Sequence, residues 1–434
     1  MKEFGGVLVG VALAAVLSCT CSFAADTVYH VSNFGEGISV IQENISRGIT
    51  MIAAFYDENN GLVGTRIYDK AHGIDTEESI SQYKQMKLYA VAADEQKNAP
   101  KETPQPQSTA TPVPAKKLEP EVCGFYGNKN AAMSITFDDG DYESAENYNE
   151  VLKEFGFRGT AMVIAQKINS GNQQKWKSLL QEGNIDIGNH SYYHKYSYSD
   201  KLSQDVLKRD IVDSYTTLKR YFPDQNILTF AAPWGQSSFE SIAMIQKNHY
   251  ANRGVGGAPI TGSIPWYGLK SFCYDATQTT LQDMNQWVDD TLAKEGWGIE
   301  LFHGCSRELT SDKYSIPIYT FRDHLKYMSE HSDELWVCSF TDAVAYIKER
   351  QSAEIKIEEE KERSITLTVT DDLPDEQFYY PLTVRLGIPE EWGKEITCQQ
   401  NGKRTKAAVM TDADGNLYAY VDIIPDGGSA VITP

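Results

Sequence analysis

From residue 132 to residue 350, short apolar runs alternate with apolar residues at helical spacing, and this order restricts the fold more than any other feature of the chain. Residues 132–137 read as a strand. Tyr148, Val151, Leu152 and Phe155 then recur along one helix face, and Gly156 follows as a stop signal. Residues 158–164 return to strand, Trp176, Leu179 and Leu180 mark a helix ending near Gly183, and 185–187 form a short strand. Leu207, Ile211, Tyr215, Leu218 and Phe222 make a further helical stripe closed by Pro223. Residues 228–232, 298–302 and 335–337 are strands again. Repeated strand–helix units set helices outside a parallel sheet, which closes most simply as a barrel.

The flanks read differently. Pro100, Pro104, Pro106, Pro112, Pro114 and Pro120 stand among Thr, Gln, Ser and Lys. Such a segment buries too little apolar surface to offset its ordering entropy, so 94–121 is expected to be a linker. Before it, an apolar run over 49–56, the turn signal Asp57-Glu58-Asn59-Asn60-Gly61 and a second run over 62–68 predict a hairpin. That hairpin is expected within a small accessory β-sandwich at 26–93. Beyond Arg350, Ile365, Leu367 and Val369 alternate with threonines, as Val384, Leu386 and Ile388 alternate with other residues, predicting a second β-sandwich over 351–434. Asp412-Ala413-Asp414-Gly415 lacks the spaced oxygens of a calcium loop and reads as a hairpin turn.

The chain of 434 residues carries 60 Asp+Glu against 40 Lys+Arg, a formal net charge of −20, which disfavours nucleic acid or an anionic membrane as a partner. Lys2, an uncharged stretch from Phe4 to Thr20 and Ser22-Phe23-Ala24 read as a secretory signal peptide over 1–24, with cleavage before Ala25. Its removal deletes one Lys and one Glu and leaves the charge unchanged. The expected location is therefore secreted or cell-surface; an uncleaved anchor or lipid attachment at Cys19 are the alternatives. Cys123, Cys273, Cys305, Cys338 and Cys398 are scattered and odd in number, which fits buried thiols better than a disulfide framework or a cysteine zinc site.

Three constellations fall at the C-terminal ends of predicted strands, where the side chains of an α/β barrel converge on one mouth. In Thr136-Phe137-Asp138-Asp139-Gly140, neighbouring carboxylates point to different sides of the backbone, so one can bind a metal while the other faces substrate; a turn is the plain alternative. In His190-Ser191-Tyr192-Tyr193-His194, two histidines four apart share one face of a helical turn and can share one ion, or form a surface patch. In Leu301-Phe302-His303-Gly304, an imidazole suited to proton transfer near neutral pH stands at a strand end, or caps the core.

Together these motifs resemble the polysaccharide deacetylase family, also called the NodB-homology domain or carbohydrate esterase family four, from about Val122 to Arg350. Thr-Phe-Asp-Asp-Gly matches its first motif, His-Ser-x-x-His its second and Leu-x-His its fifth. The resemblance implies a distorted (β/α)7-type barrel, here flanked by the two β-sandwich domains, and a hydrolase removing N-acetyl or O-acetyl groups from carbohydrate. It implies a divalent metal, zinc with cobalt or manganese as alternatives, held by Asp139, His190 and His194. Asp138 becomes the general base and His303 the general acid. The implied partner is an acetylated polysaccharide or oligosaccharide, with association to a cell surface or cell wall through the accessory domains.

Ala231-Ala232-Pro233-Trp234-Gly235 aligns with the third motif, Arg-x-Pro-Tyr-Gly, so Pro233 and Trp234 stand at the oxyanion position. Ala231, however, replaces the arginine that orients the catalytic aspartate. Arg253 could supply that charge from a neighbouring strand end, a surface arginine being the alternative. The fourth motif, Asp-x-x-Asp-Trp, is missing; Asp283 and Trp287 lie in a helical stretch with Trp287 in the core, which leaves the partner of His303 unassigned. Tyr192, Tyr193, Tyr196 and Tyr198 either stack on sugar or pack a loop onto the rim. Two other functions compete with deacetylation: hydrolysis of another small amide at the same site, or carbohydrate binding by an impaired barrel.

Overall fold

A computed structural model describes residues 25–31, 50–56, 62–68, 85–91, 119–198 and 201–434. The expected signal peptide and nearly all of the linker, 94–118, lie outside the described residues. The chain divides into two units, Met1–Thr111 and Pro112–Pro434.

In the first unit, β1 (Ala25–Val31), β2 (Thr50–Tyr56), β3 (Leu62–Tyr68) and β4 (Gln85–Val91) form one antiparallel sheet in the order β1-β4-β2-β3. The expected hairpin is β2 paired with β3. Met51, Ala53, Phe55, Met86 and Leu88 are buried.

The second unit opens with β5 (Glu121–Val122) and then winds a parallel sheet. Its strands are β6 (Ala131–Phe137), β7 (Gly159–Val163), β8 (Ile185–Asn189), β9 (Thr229–Ala231), β10 (Ala251–Arg253), β11 (Phe272–Cys273) and β12 (Trp297–Phe302), in the order β10-β9-β8-β7-β6-β12-β11. The sheet curls until its edges meet. Leu269 bridges Arg253 in parallel, and the Gly254 and Gly256 N–H groups donate to Leu269 O and Ser271 O, just before β11 begins. A small parallel pair, β13 (Gly304–Ser306) and β14 (Ser315–Pro317), follows β12, and β15 (Leu335–Ser339) lies beside β6.

Period-two alternation sorts the two faces of each strand. Met133, Ile135 and Phe137 of β6 face the helices, whereas Ala132 packs in another cluster with Met162, Ala231, Ala251, Trp297 and Ile299. The helix α1 (Tyr142–Phe155) shows how local sequence aims the strand end. Asp141 caps it by accepting from the Ser144 N–H at 2.9 Å, and Gly156 ends it in left-handed backbone. Tyr148, Val151 and Leu152 are buried, with Tyr148 stacked on Phe137 at 4.6 Å. Gly140, at φ 62°, makes the turn between β6 and this cap, and a Cβ there would meet Val163 at 2.9 Å.

The predicted helical stripe over 207–222 is interrupted. A short helix α2 (Gln204–Leu207) runs into a π turn over Lys208–Val212 before α3 (Asp213–Tyr221). Beyond α4 (Phe340–Ser352), residues 354–433 form two antiparallel sheets, one of five strands and one of four, the latter taking in β5. The turn at Asp412 is a hairpin turn, its carboxylate accepting from the Asp414 and Asn416 N–H groups. All five cysteines named above from Cys123 onward are free.

Candidate metal and catalytic site

The C-terminal ends of β6, β8, β9, β10 and β12 bring the expected residues together. Asp138 and Asp139 follow β6, His190 follows β8, Pro233 and Trp234 follow β9, Arg253 ends β10 and His303 follows β12. The Asp138 N–H donates to Phe302 O and the His190 N–H to Val163 O, which ties both strand ends into the sheet.

Asp139, His190 and His194 each offer a ligand atom within 4.8 Å of the others. His190 Nε2 stands 3.7 Å and His194 Nε2 4.0 Å from Asp139 Oδ1. His190 Nδ1–H donates to Ala231 O at 2.8 Å, so the lone pair sits on Nε2, facing the cluster. Burial pulls the His190 imidazole down to about 4, against the attraction of Asp138, and keeps it neutral at pH 7. Two imidazoles and a carboxylate, with the His190 tautomer set by a backbone carbonyl, fit a divalent ion of the zinc type.

The helical turn expected for His190–His194 is not what forms. Ser191 (φ 67°) and His194 (φ 53°) adopt left-handed backbone, and a loop folds His194 back until the two rings lie 4.6 Å apart. The His194 N–H donates to Ser191 Oγ at 2.9 Å. A spacing of four suits this loop as well as it suits a helix, so spacing alone misplaces it.

Arg253 is buried, 1% exposed, rather than on the surface, and its guanidinium bonds Asp138 Oδ1 directly. The other oxygen, Oδ2, stands 3.5 Å from His190 Nε2. Burial raises the Asp138 carboxyl, but the charge and hydrogen bond of Arg253 outweigh it and hold the group below the usual carboxylate range. Ala231 contributes only its backbone carbonyl, the acceptor for His190.

Trp234, at φ 60°, is 62% exposed, with its ring 4.9 Å from that of His194. Its N–H lies in the first turn of a short 3₁₀ helix, Pro233–Gly235, where N–H groups have no intrahelical acceptor. His303 and Asp138 line a cleft of about 360 Å³ together with Asp139, Lys167 and Tyr314. His303 Nδ1 has no hydrogen-bond partner; the ring instead packs 5.0 Å from Tyr314. Asp283 caps its own helix and Trp287 is core, so neither reaches His303.

Two residues at this site carry no motif that points to them. Tyr314 lies in the segment between β13 and β14, with nothing recognisable around it. Asp210 binds the loop of His194, and its signal was available: it lies three residues after Leu207, on the buried face of the helical stripe. Of the tyrosines, Tyr198 is fully buried with its hydroxyl on Asp210, so it packs the loop.

Residues 126–252 match the family model described as polysaccharide deacetylase. The chain is 28% identical over 343 residues to a gellan lyase of Bacillus sp., a match covering 74% of this chain and 13% of that protein. It is 26% identical over 188 residues to a chitin deacetylase of Arthroderma benhamiae, covering 38% of this chain and 49% of that one. The chain thus spans less than half the length of either curated relative. A family 4 acetyl xylan esterase from Clostridium thermocellum, solved with a cobalt ion, superimposes with a TM-score of 0.34 at 20% identity, over 49% of this chain and 89% of its own. With the Asp-Asp-Gly, His-Ser-x-x-His and Leu-x-His motifs gathered at one end of the curled sheet, residues 126–252 carry a domain of the polysaccharide deacetylase family.

Proposed function

We propose that this protein is a secreted, metal-dependent carbohydrate deacetylase that hydrolyses N-acetyl or O-acetyl groups on an acetylated polysaccharide or oligosaccharide. The observation that carries the reading is the meeting of Asp139, His190 and His194 donor atoms within 4.8 Å, beside a carboxylate held by Arg253. The curated relative named as a chitin deacetylase supports an acetylated amino-sugar polymer as substrate. Residues 1–24 support secretion, and the antiparallel sheets that precede and follow the curled sheet along the chain are read as accessory domains of a (β/α)7-type barrel.

Asp139, His190 and His194 hold the ion, with zinc the first choice and cobalt or manganese also suited to this donor set. When bound, the ion supplies Lewis acidity and lowers the pKa of water toward about 7. Asp138, kept ionised and aimed by Arg253, accepts a proton from the attacking water. The Trp234 N–H faces the developing oxyanion, and Pro233 presets the turn that presents it. His303 gives a proton to the departing amine or alcohol as acetate forms.

Acetate release from acetylated glycans, screened with zinc, cobalt and manganese, tests the reading, and chelation should abolish it. Glycan binding without acetate under every metal would favour the impaired barrel, and release from cyclic amides alone would favour the other amide hydrolase.

A further inference from the structure

The loop that presents His194 holds two non-glycine residues in left-handed backbone, a conformation that persists only where the surroundings over-determine it. The Ala165 and Gln166 N–H groups donate to Ser191 O and Tyr192 O on one side, and a single side chain holds the loop at three points on the other. Asp210, 1% exposed, sits in the π turn between α2 and α3. Its Oδ1 accepts from the Tyr192 N–H at 3.0 Å and the Tyr193 N–H at 2.8 Å, and its Oδ2 from the Tyr198 hydroxyl at 2.8 Å. Its backbone carbonyl also accepts from the Tyr192 N–H. The three side-chain bonds bracket His194 in sequence, with two anchors before it and one after. A π turn in place of a regular one advances the helix register by a residue, and such turns recur at functional sites.

From this bracket we infer that Asp210 is a positioning residue for the metal centre, acting through His194. A buried carboxyl oxygen that accepts from two consecutive N–H groups fixes the direction of the chain between them. His194 is thereby placed before any ion arrives, rather than being drawn in by it. The inference rests on the proposed metal site.

The test is Co2+ affinity of the full-length chain, read from visible absorption, in a double-mutant cycle of Asp210→Ala with His194→Ala. Asp210→Ala should weaken Co2+ binding about 10- to 100-fold, as loss of an outer-sphere partner does. In the His194→Ala background the same change should add less than about twofold. Asp210→Asn, which keeps an oxygen for the two amides, should retain most of the affinity. An equal loss in both backgrounds would mean general destabilisation and would overturn the inference. Should Asp210→Ala not fold, Tyr198→Phe removes one donor and carries the same cycle: a smaller loss confined to the parent background supports the role, and an equal loss in both rejects it. Amide exchange across 191–198 in metal-free protein separates this from the metal reading. Faster exchange in the variant sustains the positioning role even if Co2+ fails to bind the parent chain, and unchanged exchange rejects it.

Discussion

The guanidinium of Arg253 binds the carboxylate of Asp138 from the end of β10, one strand beyond the end of β9 where the matching motif carries Ala231. A cation on the neighbouring strand reaches Asp138 because both strand ends open onto the same mouth. Arg253→Met should therefore lower kcat about 10- to 100-fold with little change in KM, the equivalent of one hydrogen bond to a charged group. Stability should fall as well, since an unpaired buried carboxylate remains. Acetate-release kinetics and thermal unfolding check both.

Metal binding should stabilise the fold without any substrate. At 100 times the dissociation constant, zinc or cobalt adds about 2.7 kcal/mol, visible as a raised Tm that a chelator reverses. His190→Ala and His194→Ala should each remove most of that shift. A shift unaltered in both variants would place the ion elsewhere.

Acid should weaken the metal-free protein through His249, away from the ion. Burial pulls His249 down to about 4, and its Nε2 accepts from Asn189 Nδ2–H while Nδ1–H donates to Ile245 O. The neutral form is the one the fold accommodates, so the folded pKa lies below the unfolded value of about 6.5. Its contribution is complete above pH 6.5 and disappears as pH falls toward 4. Urea midpoints between pH 7 and pH 4 should fall less in His249→Gln than in the parent, relative to each protein at pH 7.

Tyr314 should steady the acid rather than the metal. Its ring packs 5.0 Å from His303, which has no partner at Nδ1. An aromatic contact of about 0.5–1.5 kcal/mol predicts a 2- to 10-fold drop in kcat for Tyr314→Leu, with Tyr314→Phe near the parent. Co2+ affinity should hold in both. A loss of metal binding would move Tyr314 to the ion's side of the cleft.

What the sequence revealed and what it hid follow one rule. Asp138, Asp139, His190 and His303 stand at strand ends with recognisable neighbours, and strand ends survive as positions whatever the loops do. His194 was legible as a residue but not as a geometry, since a pair four apart fits a helix or a folded loop equally. Arg253 was ambiguous because ion pairing across strands leaves no spacing to read. Asp210 was hidden among Lys208, Arg209 and Asp213, where charges suggest a wet surface until its fit with Leu207 and Ile211 is noticed. The Tyr314 contact depends on a segment joining two three-residue strands, which carries no periodicity.

Asp139, Ser191, His194 and Trp234 all take a backbone region that ordinary side chains avoid, at a cost on the order of 1 kcal/mol each. The rim is thus sprung in advance, and glycine at Trp234, which holds no ion, would relax it. A lineage selected for heat resistance would gain from such relaxation, whereas one selected for turnover would resist it, so toughness and chemistry compete here at the level of single φ angles.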